Sequence, residues 1–146
     1  METVLNMLAK DHAIHRVLFM RACTRVRQAE WRGAASALSE LDRALGRHLE
    51  REAAAVLQSC DGAADRAAMP TAMLRVEQRQ LQGVLARMAL SVESADRSGF
   101  HKHAGTLRLL LQYHNQKQAA LYGMESNDAF TTEKTPLRPP CSAALA

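Results

Sequence analysis

The sequence predicts an all-α fold, and three observations carry that prediction. Alanine occurs 26 times and leucine 19 times, against one isoleucine and 4% aromatic residues. That mixture favours helix and deprives a sheet of the β-branched and aromatic residues it packs with. The four prolines are Pro70, Pro136, Pro139 and Pro140, so two stretches of more than sixty residues carry no helix breaker. Along both stretches apolar residues recur three and four apart, the spacing of one helix face. At 146 residues the chain has the size of one domain and can bury a core.

Each element has its own justification. The first helix is expected from about Val4 to Gln28, with Leu5, Leu8, His12, His15, Phe19, Ala22 and Val26 on one face. Two histidines thus interrupt an otherwise apolar stripe. A turn is expected around Trp31-Arg32-Gly33. The second helix aligns Leu38, Leu41, Leu45, His48, Glu52 and Val56 and fades near Cys60-Asp61-Gly62. An Ala-rich connection leads to Pro70, a favourable first-turn residue, which is expected to open the third helix. That helix aligns Leu74, Gln78, Leu81, Leu85, Met88 and Val92 up to a break at Asp96-Arg97-Ser98-Gly99. The fourth aligns Leu107, Leu111, His114, Gln118 and Leu121 and ends near Gly123. Met7, Met20, Met73 and Met88 are expected as core filler. Residues 1–125 form the expected bundle, and residues 126–146, rich in Pro and small polar residues, the expected loose tail.

The two halves repeat. An offset of 66 residues superposes Leu8 on Leu74, Asp11 on Glu77, Val26 on Val92, Leu41 on Leu107 and Leu45 on Leu111, and lays REAAAV over KQAALY. Two helical hairpins packed about a pseudo-twofold axis give an up-down-up-down four-helix bundle.

Charge and composition exclude several functions. The net charge of +4 comes from 19 basic and 15 acidic residues spread along the chain, an ordinary surface rather than a nucleic-acid footprint. Arg16, Arg21, Arg25 and Arg27 form a local basic run with no recognition motif beside it, and its place near the end of a helix suits the helix dipole. Three scattered cysteines, Cys23, Cys60 and Cys141, read as free thiols in a reducing compartment. The N-terminal residues lack a signal-peptide pattern and no apolar run is long enough to span a membrane, so the expected location is the cytoplasm.

The 66-residue offset also relates the polar residues of the buried stripes. His12 corresponds to Gln78, His48 to His114, and Glu52 to Gln118. From His12 up to the turn is roughly 26 Å of helix, and down to His48 roughly 21 Å, so the two imidazoles meet at about one height. His48 and Glu52, four residues apart, stack on the same face. A neutral imidazole and a carboxylate so placed can ligate an ion. Burying three such side chains without a partner is costly, and a metal is the simplest partner.

These residues carry a resemblance. The pattern D-H-(x35)-H-L-E-R-E, followed by E-Q-(x35)-H-N-Q-K-Q-A-A-L-Y, resembles the hemerythrin-like, HHE cation-binding family over residues 5–125 or so. The resemblance implies a four-helix bundle with a non-haem di-iron centre, and places His12, His48, Glu52 and His114 on ligand positions. Two family ligands are replaced: Gln78 stands for a histidine and Gln118 for a bridging carboxylate, while Gly123 replaces a closing proline. An amide is a weak neutral donor that removes a charged bridge between two cations, so three His and one Glu can instead hold a single Fe or Zn ion. Gln78 and Gln118 read either as hydrogen-bonding neighbours of a metal or as near-isosteric relics of one. His15 reads either as a histidine packed at the core edge or as a substitute ligand. The implied function is binding or sensing of iron, oxygen or nitric oxide rather than robust catalysis, with peroxide or diatomic-gas chemistry left open at a free coordination position. The competing reading is a metal-free helical interaction module. A faint likeness of His101-Lys-His-Ala-Gly-Thr to a histidine phosphotransfer segment lacks the lysine that would support a phosphoryl group.

Overall fold

The computed structural model describes residues 3–59 and 64–122. Helix α1 spans Val4–Arg27, α2 Trp31–Ser59, α3 Ala64–Glu93 and α4 Arg97–Tyr122. Each helix packs on its neighbour in the chain, and α1 closes more lightly against α4. The result is the expected four-helix bundle. Thr3 caps α1, its hydroxyl accepting from the Asn6 amide at 3.3 Å.

The stripes are buried as the periodicity requires. Leu8, Phe19, Ala22 and Val26 on α1, Leu38, Leu41, Leu45 and Val56 on α2, Leu74, Leu81, Leu85, Met88 and Val92 on α3, and Leu107 and Leu111 on α4 all face the interior. The repeat also divides volume between the halves. Ala22 and Ala34 are matched 66 residues later by Met88 and Phe100, and all four are fully buried. Of the expected methionine filler, Met20 and Met73 are half exposed, because they sit off their helices' stripes. The side chains of Leu5 and Leu121, with Cys60, Gly123, Cys141 and the expected tail, lie outside the described residues.

The pseudo-symmetry is plainest at the hairpin turns. The Glu30 amide donates to the Arg25 carbonyl at 2.8 Å and the Ala29 amide to that of Val26 at 3.0 Å. Sixty-six residues on, Asp96 donates to Ser91 at 2.7 Å and Ala95 to Val92 at 3.1 Å. Both are Schellman closures, which need a left-handed residue after the helix. Here that residue is alanine each time, Ala29 at φ 56° and Ala95 at φ 53°. The following helix starts at once: the Asp96 carboxylate accepts from the Gly99 amide at 2.9 Å, and a Cβ at Gly99 would run into that carboxylate.

Three boundaries differ from expectation. The first turn is Gln28–Glu30, and Trp31 already begins α2, because the Schellman bonds close the chain in three residues. For the same reason the second break is Ser94–Asp96, and α4 starts at Arg97. Helix α3 starts at Ala64 and carries Pro70 inside it. The alanines, Arg66 and Met69 before the proline are strong helix formers, so Pro70 forgoes one backbone bond without ending the element.

The basic run is partnered across the first turn. Arg21 lies 3.5 Å from Glu40, Arg25 pairs with Glu30, and Arg27 donates to the Thr24 hydroxyl at 3.1 Å. Cys23 is a buried free thiol, its pKa raised by burial. No helix among the described residues is long and apolar enough to cross a membrane.

Candidate metal centre

Each helix delivers one cluster of polar side chains to the same level of the core. Helix α1 presents Asp11, His12 and His15, and α2 presents His48, Arg51 and Glu52. Helix α3 presents Glu77, and α4 presents His114, Lys117 and Gln118. Spacings of three and four along each helix keep them on one face. Asp11, His12, His15, His48, Glu52, His114 and Gln118 are all buried, His48 and Gln118 completely.

Ring nitrogens of His12, His48 and His114 lie within 4.8 Å of one another. His48 Nε2 stands 3.2 Å from His114 Nε2 and 3.4 Å from the Gln118 amide nitrogen. Glu52 Oε2 lies 3.1 Å from His114 Nε2 and 3.9 Å from His48 Nε2. The structure therefore brings together all four expected ligand residues, with Gln118 beside them. Two of the possible extras fall outside. Gln78 is only half-buried. His15 is buried and stands edge-on to His48, ring centroids 5.1 Å apart, but its nitrogens are not part of the three-imidazole cluster. His101 is exposed and His103 half-buried on the first turns of α4.

Behind two of the clustered imidazoles lies a pair of acids and bases that ligand spacing alone does not single out. Asp11 Oδ2 lies 3.2 Å from His48 Nδ1, and the Arg51 guanidinium donates to both Asp11 oxygens at 2.7 and 2.8 Å. In the other half Glu77 Oε2 lies 2.7 Å from His114 Nδ1, and Lys117 pairs with the second Glu77 oxygen. His48 and His114 thus each have an acid behind them and a base behind the acid. A carboxylate at Nδ1 fixes the proton there and turns the Nε2 lone pair inward, the way ligand histidines are oriented in metal sites. The signal was present in the repeat: Asp11 aligns with Glu77, and REAAAV with KQAALY, which pairs Arg51 with Lys117.

Protonation follows from these surroundings. Burial, followed by the charge of His114, lowers the pKa of His12 to about 4. Burial likewise lowers His15 to about 4 against the raising effect of a hydrogen bond to the Ala44 backbone. His48 is lowered further, by burial and then by the charges of His15, His114, His12 and Arg51. His114 goes the other way. Burial alone would lower it, but the Glu52 and Glu77 carboxylates outweigh that and raise it to about 9. Glu77 is lowered in turn, the hydrogen bonds from His114 and Lys117 overcoming its own burial.

The donor set fits a cation. His12 Nε2 and Gln118 Oε1 are buried without a hydrogen-bond partner, and each such group costs about 1–3 kcal/mol. Three imidazole nitrogens and a carboxylate oxygen are ligands that Zn and Fe both accept, and one ion within the cluster would satisfy both orphans together. The hemerythrin HHE cation binding domain model matches residues 3–123. The chain belongs to this family. No curated protein and no solved structure gave a match. Membership and geometry together point to metal binding, with three buried histidines able to hold an ion.

Proposed function

We propose that the protein holds one non-haem cation, with His12, His48 and His114 as nitrogen ligands and Glu52 as the oxygen ligand. The observation that carries this reading is the convergence of three buried imidazoles, their ring nitrogens within 4.8 Å of one another, beside the buried Glu52 carboxylate. One ion rather than two follows from the second hairpin, where Gln118 supplies an amide in place of a bridging carboxylate and Gln78 is only half-buried. Iron is the cation that the family resemblance implies, with zinc the alternative for the same donors. Four protein ligands leave room for a further ligand on an ion that accepts five or six. Binding or sensing of iron, oxygen or nitric oxide is therefore the role proposed, in a reducing cytoplasm that suits the free Cys23 thiol.

A second reading has its own support. With His114 protonated between Glu52 and Glu77, part of the cluster is satisfied without any ion, as a metal-free interaction module would require. Metal quantitation after expression in iron-supplemented medium separates the two. The metal reading predicts close to one ion per chain, lost in His48→Ala. Substoichiometric metal that His48→Ala leaves unchanged supports the metal-free module instead.

A further inference from the structure

The residue least explained by a four-ligand site is His15. It is 2% exposed, on a stripe position where the second hairpin carries Leu81, itself buried. Leucine is thus compatible with this position in the bundle, and the imidazole serves something other than filling space. Its hydrogen bond to the Ala44 backbone falls to Nδ1, because Nε2 is the ring nitrogen left buried and without a partner. A carbonyl accepts, so Nδ1 carries the proton and Nε2 is a bare lone pair. The ring stands 5.1 Å from His48 and 6.3 Å from His12 between centroids, with its nitrogens outside the ligand cluster. A nitrogen that lies outside that cluster suits one intervening atom between itself and the ion. An oxygen held at about 2.1 Å from a cation and about 2.8 Å from an acceptor spans roughly 4–5 Å.

We propose that His15 is the hydrogen-bond acceptor for a protic oxygen ligand on the cation, of the water, hydroxide or peroxide class. The inference rests on the one-cation reading above. A ligand that carries a proton satisfies the His15 lone pair, whereas an aprotic diatomic such as nitric oxide leaves it orphaned. His15 is therefore a specificity-determining residue that favours protic over aprotic ligands.

The test compares wild type, His15→Leu and His15→Gln, with Mn2+ as the probe. Chelator competition measures affinity, electron–nuclear double resonance in H2O and D2O reads exchangeable protons near the ion, and melting of the metal-free proteins reads folding. The expected result is about tenfold weaker Mn2+ binding in His15→Leu, in the range typical for partners one shell out. Its metal-free form melts no lower than wild type, and its exchangeable-proton coupling is changed. His15→Gln, which keeps a neutral acceptor, binds within about threefold of wild type. Equal affinity and unchanged proton coupling in His15→Leu would overturn the inference. So would a nitrogen coupling that disappears with His15, which means direct ligation, or equal weakening in both variants with lowered melting. Wild type that binds neither Mn2+ nor Fe2+ overturns the one-cation reading itself, a result distinct from each of these.

Discussion

The hairpin α1–α2 and the hairpin α3–α4 are alike wherever the chain must be shaped and unlike wherever an ion must be held. Their turns share the same Schellman bonds and the same left-handed alanine. Both place an acid behind an imidazole and a base behind the acid, as Asp11–His48–Arg51 and as Glu77–His114–Lys117. The inward donors differ. The first hairpin offers His12, His48 and Glu52, with His15 close by, and the second offers His114 with Gln78 and Gln118. The framework that aims the imidazoles is thus separable from the inward donors, which differ between the halves. Exchanging an amide for a carboxylate leaves helix, turn and packing untouched, since Gln and Glu have nearly the same shape.

The comparison is broken most directly by restoring the second hairpin. Gln78→His combined with Gln118→Glu is expected to raise metal content from one ion per chain toward two, measured by elemental analysis. An unchanged count would mean that the half-buried position of residue 78 keeps it from the site. In the opposite direction, Glu52→Gln removes the one anionic ligand among four and is expected to weaken cation binding about 100-fold, or near 3 kcal/mol, by chelator competition.

The paired relays give the next effect. Asp11→Asn and Glu77→Gln are each expected to cost about 10-fold in cation affinity through loss of imidazole orientation, and the imidazole nitrogen NMR spectrum should show a change of tautomer at His48 or His114. If only the Asp11 variant responds, the second relay is structural and the two halves are less alike than their geometry.

Protonation separates the halves as well. His12, His15 and His48 have folded pKa values below the ordinary value of 6.5, so the unfolded chain binds more protons as the solution is acidified. Their contribution to stability is complete above about pH 6.5 and declines as the pH falls toward 4. His114 is raised to about 9, so its contribution is complete below pH 6.5 and is lost as the pH rises through 9. The metal-free protein should therefore melt highest near pH 6.5, with a limb on either side. Metal uptake at pH 7 should release about one proton, the one that His114 gives up to bind. Melting across pH and calorimetry in buffers of different ionisation enthalpy measure these two effects.

Much of this was legible in the sequence because it is periodic. The described stripe positions are buried, Gln78 only partly, and the offset of 66 placed His12, His48, Glu52 and His114 at one level of the bundle. The boundaries were less legible. Nothing in Ala29 or Ala95 announces a left-handed residue, which is usually glycine, and Pro70 advertised a helix start where stronger helix formers ran ahead of it. Asp11 and Glu77 were visible as aligned acids, but their role depends on side chains crossing between helices, which spacing along one helix does not encode. His15 was readable as buried, yet only its partnerless Nε2 separates a core histidine from one with a task.

The smallest effect lies at the turns. Ala29→Gly and Ala95→Gly should each stabilise the fold by about 1 kcal/mol, because glycine adopts the left-handed region without the Cβ penalty. Denaturant unfolding measures the gain, and cation binding should stay as it is. A loss of stability at either site would show that the turns are held by something other than the shared backbone geometry.

The central claim is that the donors gathered on the first hairpin, with His114, hold a single ion. A titration of metal-free wild type with ferrous iron under anaerobic conditions tests it most directly. Saturation is expected at one equivalent per chain. A break at two equivalents, or no saturable binding, would contradict it.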